Sequence, residues 1–147
     1  YTNLCAVCQA QLRIMKVRYP KPGIVYKGAI PVAEIALNTS DKYLTILISA
    51  LLGNAYKFTQ EGTISLECDR LGDDRVFVAV ADTGCGIPPE KHGYVFERFT
   101  KLDPFSQGNG LGLSLVRAIV RLHGGEVTVQ SAPGAGAAFT VRLPAQP

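Results

Sequence analysis

The chain has 147 residues, 47% hydrophobic and 18% charged, with a formal net charge of +3. This balance supports one packed core and excludes an extended, self-repelling polyelectrolyte. No Lys/Arg block interleaves with aromatics, which argues against nucleic acid, and the longest apolar stretch, 44–58, is broken by Thr45, Ser49, Asn54 and Lys57, too short and too polar to span a bilayer.

Leu4, Val7, Cys8, Leu12 and Met15 recur at helical spacing and predict a helix over 3–19, stopped by Pro20, Pro22 and Gly23. Cys5 and Cys8 form a lone CxxC. No second pair follows, and His92 and His123 are too scattered to complete a metal set, so the two thiols read as small apolar residues on one helix face. Reduced thiols fit a cytoplasmic domain.

Two β-like runs, 24–26 and 33–37, are joined by 28–31. Thr39, Ser40 or Asp41 can cap the next helix, which runs to Phe58. After a turn at 60–62, strands over 63–70 and 75–82 form a hairpin around 71–74. Residues 83–89 are rich in glycine and proline, a short helix covers 90–99, and a polar loop fills 100–107. A glycine cluster then opens an amphipathic helix over 111–123, ended by Gly124 and Gly125. Strands over 126–130 and 138–143 close the chain. With no repeat or internal linker, one α/β domain over 1–147 is the expectation. The start at Tyr1 rather than Met, without a signal peptide, gives the expectation of a fragment of a longer protein.

At 100° per residue, Leu44, Leu47, Ile48, Leu51, Ala55 and Phe58 form the core stripe of their helix, while Tyr43, Ala50, Asn54 and Lys57 lie along its flank. An Asn amide oxygen there can ligate Mg²⁺, a hard ion that takes waters and phosphate oxygens as further ligands. Lys57 can reach a phosphate as a point charge. Taken alone, this helix reads equally as a solvated edge.

Asp82 ends an apolar strand and opens the sequence ADTGCGIPP. An ionised Asp accepts hydrogen bonds only, so it suits the exocyclic amino group of adenine and repels the oxygen of guanine. Gly84 and Gly86 would let backbone approach a flat ring. A capped turn is the plainer alternative. The run GNGLGL, 108–113, opens a helix with bare backbone amides where a polyphosphate fits. It is no P-loop, because GxxxxGK[ST] occurs nowhere, and no dinucleotide fingerprint, because it follows a polar loop.

The order of these elements says more than each one. Asn54–Ala–x–Lys57, DxGxG, Phe96 and Phe99 in VFERF, GxGLGL, and the late turn 134–139 closely resemble the N, G1, F, G2 and G3 boxes of sensor histidine kinases, within the GHKL ATPase superfamily. The resemblance covers roughly 24–143. It implies an α+β fold, a two-layer α/β sandwich with a mixed, largely antiparallel sheet, three main helices on one face and an ATP lid. It also implies ATP with Mg²⁺ as cofactors. Asn54 would hold the metal, Lys57 would lie near the phosphates, and Asp82 would read adenine in a pocket shaped by Gly84, Gly86 and Ile87. Gly108, Gly110, Leu111, Gly112 and Leu113 would flank the triphosphate, with Gly134 and Gly136 at the floor. Phe96 and Phe99 would anchor the lid, from which Lys101 and Gln107 could reach a phosphate.

Three positions depart from the pattern. Ala50 stands where many members carry an Asn, Asn109 where a small hydroxyl residue is common, and Ala137 where Ser or Thr is frequent. No arginine lies between Thr100 and Gly108. These departures bear on turnover more than on nucleotide binding. The phosphoacceptor segment is absent: His92 reads as a surface residue and His123 as a helix-end cation. The implied protein is a cytoplasmic kinase domain, its parent compatible with a membrane anchor. It would pass the γ-phosphate to a histidine on another domain, of the same protein or a dimer partner, and thence to a response regulator. The helix over 3–19 could be the tail of a linker from that domain, and the fragment would be a monomer. A non-catalytic nucleotide sensor and a related protein serine kinase remain as alternatives.

Overall fold

A computed structural model describes residues 2–84, 111–131 and 136–145. The short helix over 90–99, the polar loop, and the site candidates Gly86, Ile87, Phe96, Phe99, Lys101, Gln107, Gly108, Gly110 and Gly134 lie outside the described residues.

A two-residue strand, β1 (Thr2–Asn3), leads into helix α1 (Leu4–Arg18). Asn3 caps the helix, its side chain accepting from Cys5 N at 3.1 Å and from Ile35 N at 3.2 Å. The buried stripe is Leu4, Cys5, Cys8, Leu12 and Met15: Cys5 joins it, and Val7, predicted within it, is only partly buried. Cys5 and Cys8 pack in the core near Cys68, and burial, then the Cys68 thiol, pushes the Cys5 thiol up to about 11. A thiol raised in this way is a poor nucleophile, and no group of three metal-ligating side chains occurs among the described residues.

The region of 24–37 departs from expectation. Strand β2 (Ile24–Ala29) runs through the predicted link, because it pairs in parallel with β4 (Gly62–Leu71) along its whole length. Strand β3 shrinks to Ala36–Leu37 and pairs with β1. The polar groups of 33–35 are already committed to α1: Leu4 N donates to Ile35 O at 2.8 Å, and Cys5 Sγ to Ala33 O at 3.4 Å.

Helix α2 (Asp41–Phe58) is capped by Ser40, whose hydroxyl accepts from Tyr43 N, with Asp41 favourably placed in the first turn. Its core side chains Leu44, Leu47, Ile48, Leu51, Leu52 and Ala55 are buried. The β4–β5 hairpin turns at Gly72, with φ +69°, and β5 (Arg75–Asp82) alternates cleanly: Val76, Val78, Val80 and Asp82 point inward. Helix α3 (Leu111–Leu122) ends at the predicted glycines, Gly124 N donating to Arg121 O and Gly125 N to Val120 O. Strands β6 (Glu126–Ser131) and β7 (Ala137–Pro144) complete a five-stranded sheet of order β2-β4-β5-β7-β6.

Only the β2–β4 pair is parallel, so the sheet is mixed and largely antiparallel. All three described helices pack on one face: α1 over β2 and β4, α2 over β4 and β5, α3 over β6 and β7. Ile64, Leu66, Val78, Phe139 and Val141 meet them in one core. The architecture is the two-layer α/β sandwich expected from the sequence.

Candidate functional site

Asp82 closes β5 at the centre of the sheet, opposite Ile64 of β4 and Ala137 of β7. It is one of few polar residues in the inner layer, 8% exposed. Its Oδ1 accepts from Gly84 N at 2.8 Å, the turn that the glycine permits. Burial raises its pKa; the backbone amides of Gly84 and Ala137 and the Thr59 side chain act the other way.

The neighbouring backbone is tight. Gly136 has φ +80°, and a β-carbon there would collide with the carbonyl of Asp82 and crowd Thr83 Cα. Thr83 is tied back to β4: its amide donates to Thr63 O at 3.2 Å and its hydroxyl accepts from Thr63 N at 3.0 Å. Gly62, at φ +132°, leaves the room that this hydroxyl occupies. Beside the turn lies an open groove of about 680 Å³ lined by Lys21, Pro22, Gly23, Gln60, Glu61, Thr83 and Gly84.

Asn54 and Lys57 are half-buried in the last turns of α2, and Leu113 is buried in the first turn of α3. Helix α2 reaches Asp82 through Thr59, the residue that ends it. Asn54 lies five positions before Thr59, roughly 7.5 Å along the helix axis. Leu111 and Gly112 belong to the same helix as Leu113. Ala50 packs its methyl against the core rather than offering a ligand.

Sequence reasoning missed Thr59. It is fully buried, sits where a helix C-terminus usually takes a glycine, and follows Lys57 and Phe58 directly. A threonine at a helix end was the available signal, but its spacing belongs to no catalytic pattern. Sequence reasoning also missed Lys21, whose ammonium donates to Thr59 O at 3.3 Å and lies 4.1 Å from the centre of the Tyr56 ring. His123 lies elsewhere. One ring nitrogen faces Ile119 O at 2.7 Å and the other the Thr39 hydroxyl at 2.6 Å, tying the end of α3 to the loop before α2.

The family described as histidine kinase-, DNA gyrase B-, and HSP90-like ATPase matches residues 39–147. The chain belongs to this family of ATPases. Within it, the chain is an ATP-binding catalytic domain of the sensor histidine kinase type. It is 37% identical over 139 residues to the histidine protein kinase DivJ of Caulobacter vibrioides, which covers 92% of this chain and 23% of DivJ. The chain thus spans under a quarter of that relative's length. Among solved structures, the mycobacterial sensor histidine kinase MprB superposes with a TM-score of 0.84 at 26% identity, over 99% of this chain and 97% of that one. Full-length ShkA in complex with AMPPNP gives a TM-score of 0.83 at 29% identity, over 97% of this chain and 30% of ShkA.

Proposed function

We propose that this chain is the nucleotide site of a protein that transfers the γ-phosphate of ATP to a histidine on a separate dimerisation and phosphoacceptor domain, in two-component signalling. The observation that carries this reading is Asp82, a buried carboxylate on the central strand with Oδ1 held by Gly84 N. Among the described residues, the groups that set its ionisation are backbone amides and a hydroxyl, with no cation. A purine amino group supplies the complementary donors, and a 6-oxo ring does not.

Asn54 offers a neutral oxygen on the flank of α2. A single amide oxygen suits Mg²⁺, which is held by one or two protein oxygens, waters and substrate phosphates. Bound Mg²⁺ neutralises charge on the phosphates during transfer. Lys57 would place a further positive charge one turn on, and the start of α3, with Leu111, Gly112 and Leu113, would turn backbone amides to the anion. These groups position and neutralise; the attacking nitrogen comes from the other domain. A response regulator would then receive the phosphoryl group.

Mixing this chain with Mg²⁺, labelled ATP and a matching acceptor domain tests the proposal: label should appear on the acceptor histidine. Label that never leaves ATP, despite nucleotide binding, favours the second reading, a nucleotide sensor without turnover. The methyl of Ala50 on the core side of α2 supports that reading, because it removes an amide from the phosphate end. No described helix is long and apolar enough to cross a membrane, and we place the site in the cytoplasm, where ATP is supplied.

A further inference from the structure

Thr59 is completely buried, yet its Oγ1 has no hydrogen-bond partner among the described residues. Native proteins seldom leave a buried hydroxyl unsatisfied unless a ligand or a water completes its bonding. The backbone of Thr59 is fixed from outside, its carbonyl accepting from Lys21 Nζ at 3.3 Å while the same ammonium sits over Tyr56. The hydroxyl is nonetheless one of the groups that hold the Asp82 pKa down, which puts it beside that carboxylate without a formed bond.

The groups that favour the ionised form of that carboxylate differ in kind. Gly84 and Ala137 contribute backbone amides, whose positions follow from the turn and the β5–β7 register. Ala137 carries only a methyl. Thr59 brings a hydroxyl, the one side chain among the groups that favour the ionised form of Asp82. A hydroxyl can rotate, so it can complete its bond when a ligand draws the carboxylate into place.

We propose that Thr59 is a specificity-determining positioning residue: its hydroxyl donates to the Asp82 carboxylate when a purine is bound, and so fixes the oxygen that accepts from the exocyclic amino group. The inference rests on the adenine reading of Asp82 given above. It assigns Thr59 no contact with phosphate or metal. Its effect belongs to one hydrogen-bonding position on the ring, and a ligand without that amino group should not register it.

The test titrates this chain with ADP and with purine riboside diphosphate, the same nucleotide lacking the 6-amino group. Thr59→Val removes the hydroxyl at nearly constant volume. It should weaken ADP about tenfold and leave the amino-free ligand within about twofold, while Thr59→Ser should keep the original preference. An equal loss for both ligands would mark Thr59 as merely structural and overturn the proposal, as would unchanged ADP affinity. If the valine variant does not fold, Thr59→Ala against Thr59→Ser gives the same comparison. An unsubstituted chain that binds neither ligand, or binds both alike, overturns the adenine reading itself and this inference with it.

Discussion

Gly136 holds its backbone against the carbonyl of Asp82 in a conformation, φ +80°, that side chains rarely adopt. The approach leaves no room for a β-carbon, so the glycine is required twice, for its dihedral and for its missing side chain. Gly136→Ala is expected to destabilise the chain by about 1–3 kcal/mol, read as a lower midpoint in urea. Because the collision is with Asp82 itself, adenine nucleotide affinity should fall as well. A variant with wild-type stability and affinity would contradict the packing.

Asp82 gives a pH signature whose sign follows from its raised pKa. A carboxyl with a higher pKa folded than unfolded stabilises the fold below its unfolded pKa, and that contribution is lost as pH rises through the folded value. At neutral pH the buried charge is therefore a cost. Asp82→Asn should raise the denaturation midpoint at pH 7, and the gain should shrink as the buffer is acidified through the carboxylate range. The same substitution should weaken ADP by about 1–3 kcal/mol, the usual effect of disturbing a buried charged hydrogen bond. A more stable fold with a poorer ligand is the mark of a residue kept for binding.

Asn54 separates metal from base. Asn54→Ala should remove most of the dependence of ADP affinity on added Mg²⁺ while leaving affinity in chelator nearly unchanged. Calorimetric titration with and without Mg²⁺ reads both. Loss of binding in chelator would assign Asn54 to the nucleotide rather than to the ion.

His123 belongs to the scaffold. His123→Ala breaks the link from the end of α3 to Thr39 and should cost about 1 kcal/mol in denaturant unfolding. Nucleotide affinity should stay within about twofold, since neither bond involves Asp82, Thr59 or Asn54.

Much of this was legible in the residues. The stripe Leu4–Cys8–Leu12–Met15 announced α1, Ser40 stood among three candidate caps for α2, and the apolar run 75–82 announced a strand ending on Asp82. Local pattern carries these because each is decided by burial of one face. The β1–β3 ladder was not legible: two residues a side have no alternation, and their pairing exists because Asn3 and Leu4 bond to Ile35. The length of β2 was hidden in a similar way, since Gly28 reads as a turn residue until β4 lies beside it. Thr59 and Lys21 were missed because their meaning is a contact between segments: one residue ends α2, the other lies in the loop after α1, and both converge beside the end of β5.

The carboxylate at the end of β5 draws its supports from positions 59, 84 and 137, which are far apart along the chain. The shortest stretch that contains all of them, 59–137, takes in more than half of the chain. A proteolytic fragment lacking β7 should therefore lose ligand capture outright rather than keep a weakened version. Conversely, occupancy should brace strands and helix together: at a hundredfold excess over Kd, a ligand that sees only the completed fold adds about 2.7 kcal/mol to its stability.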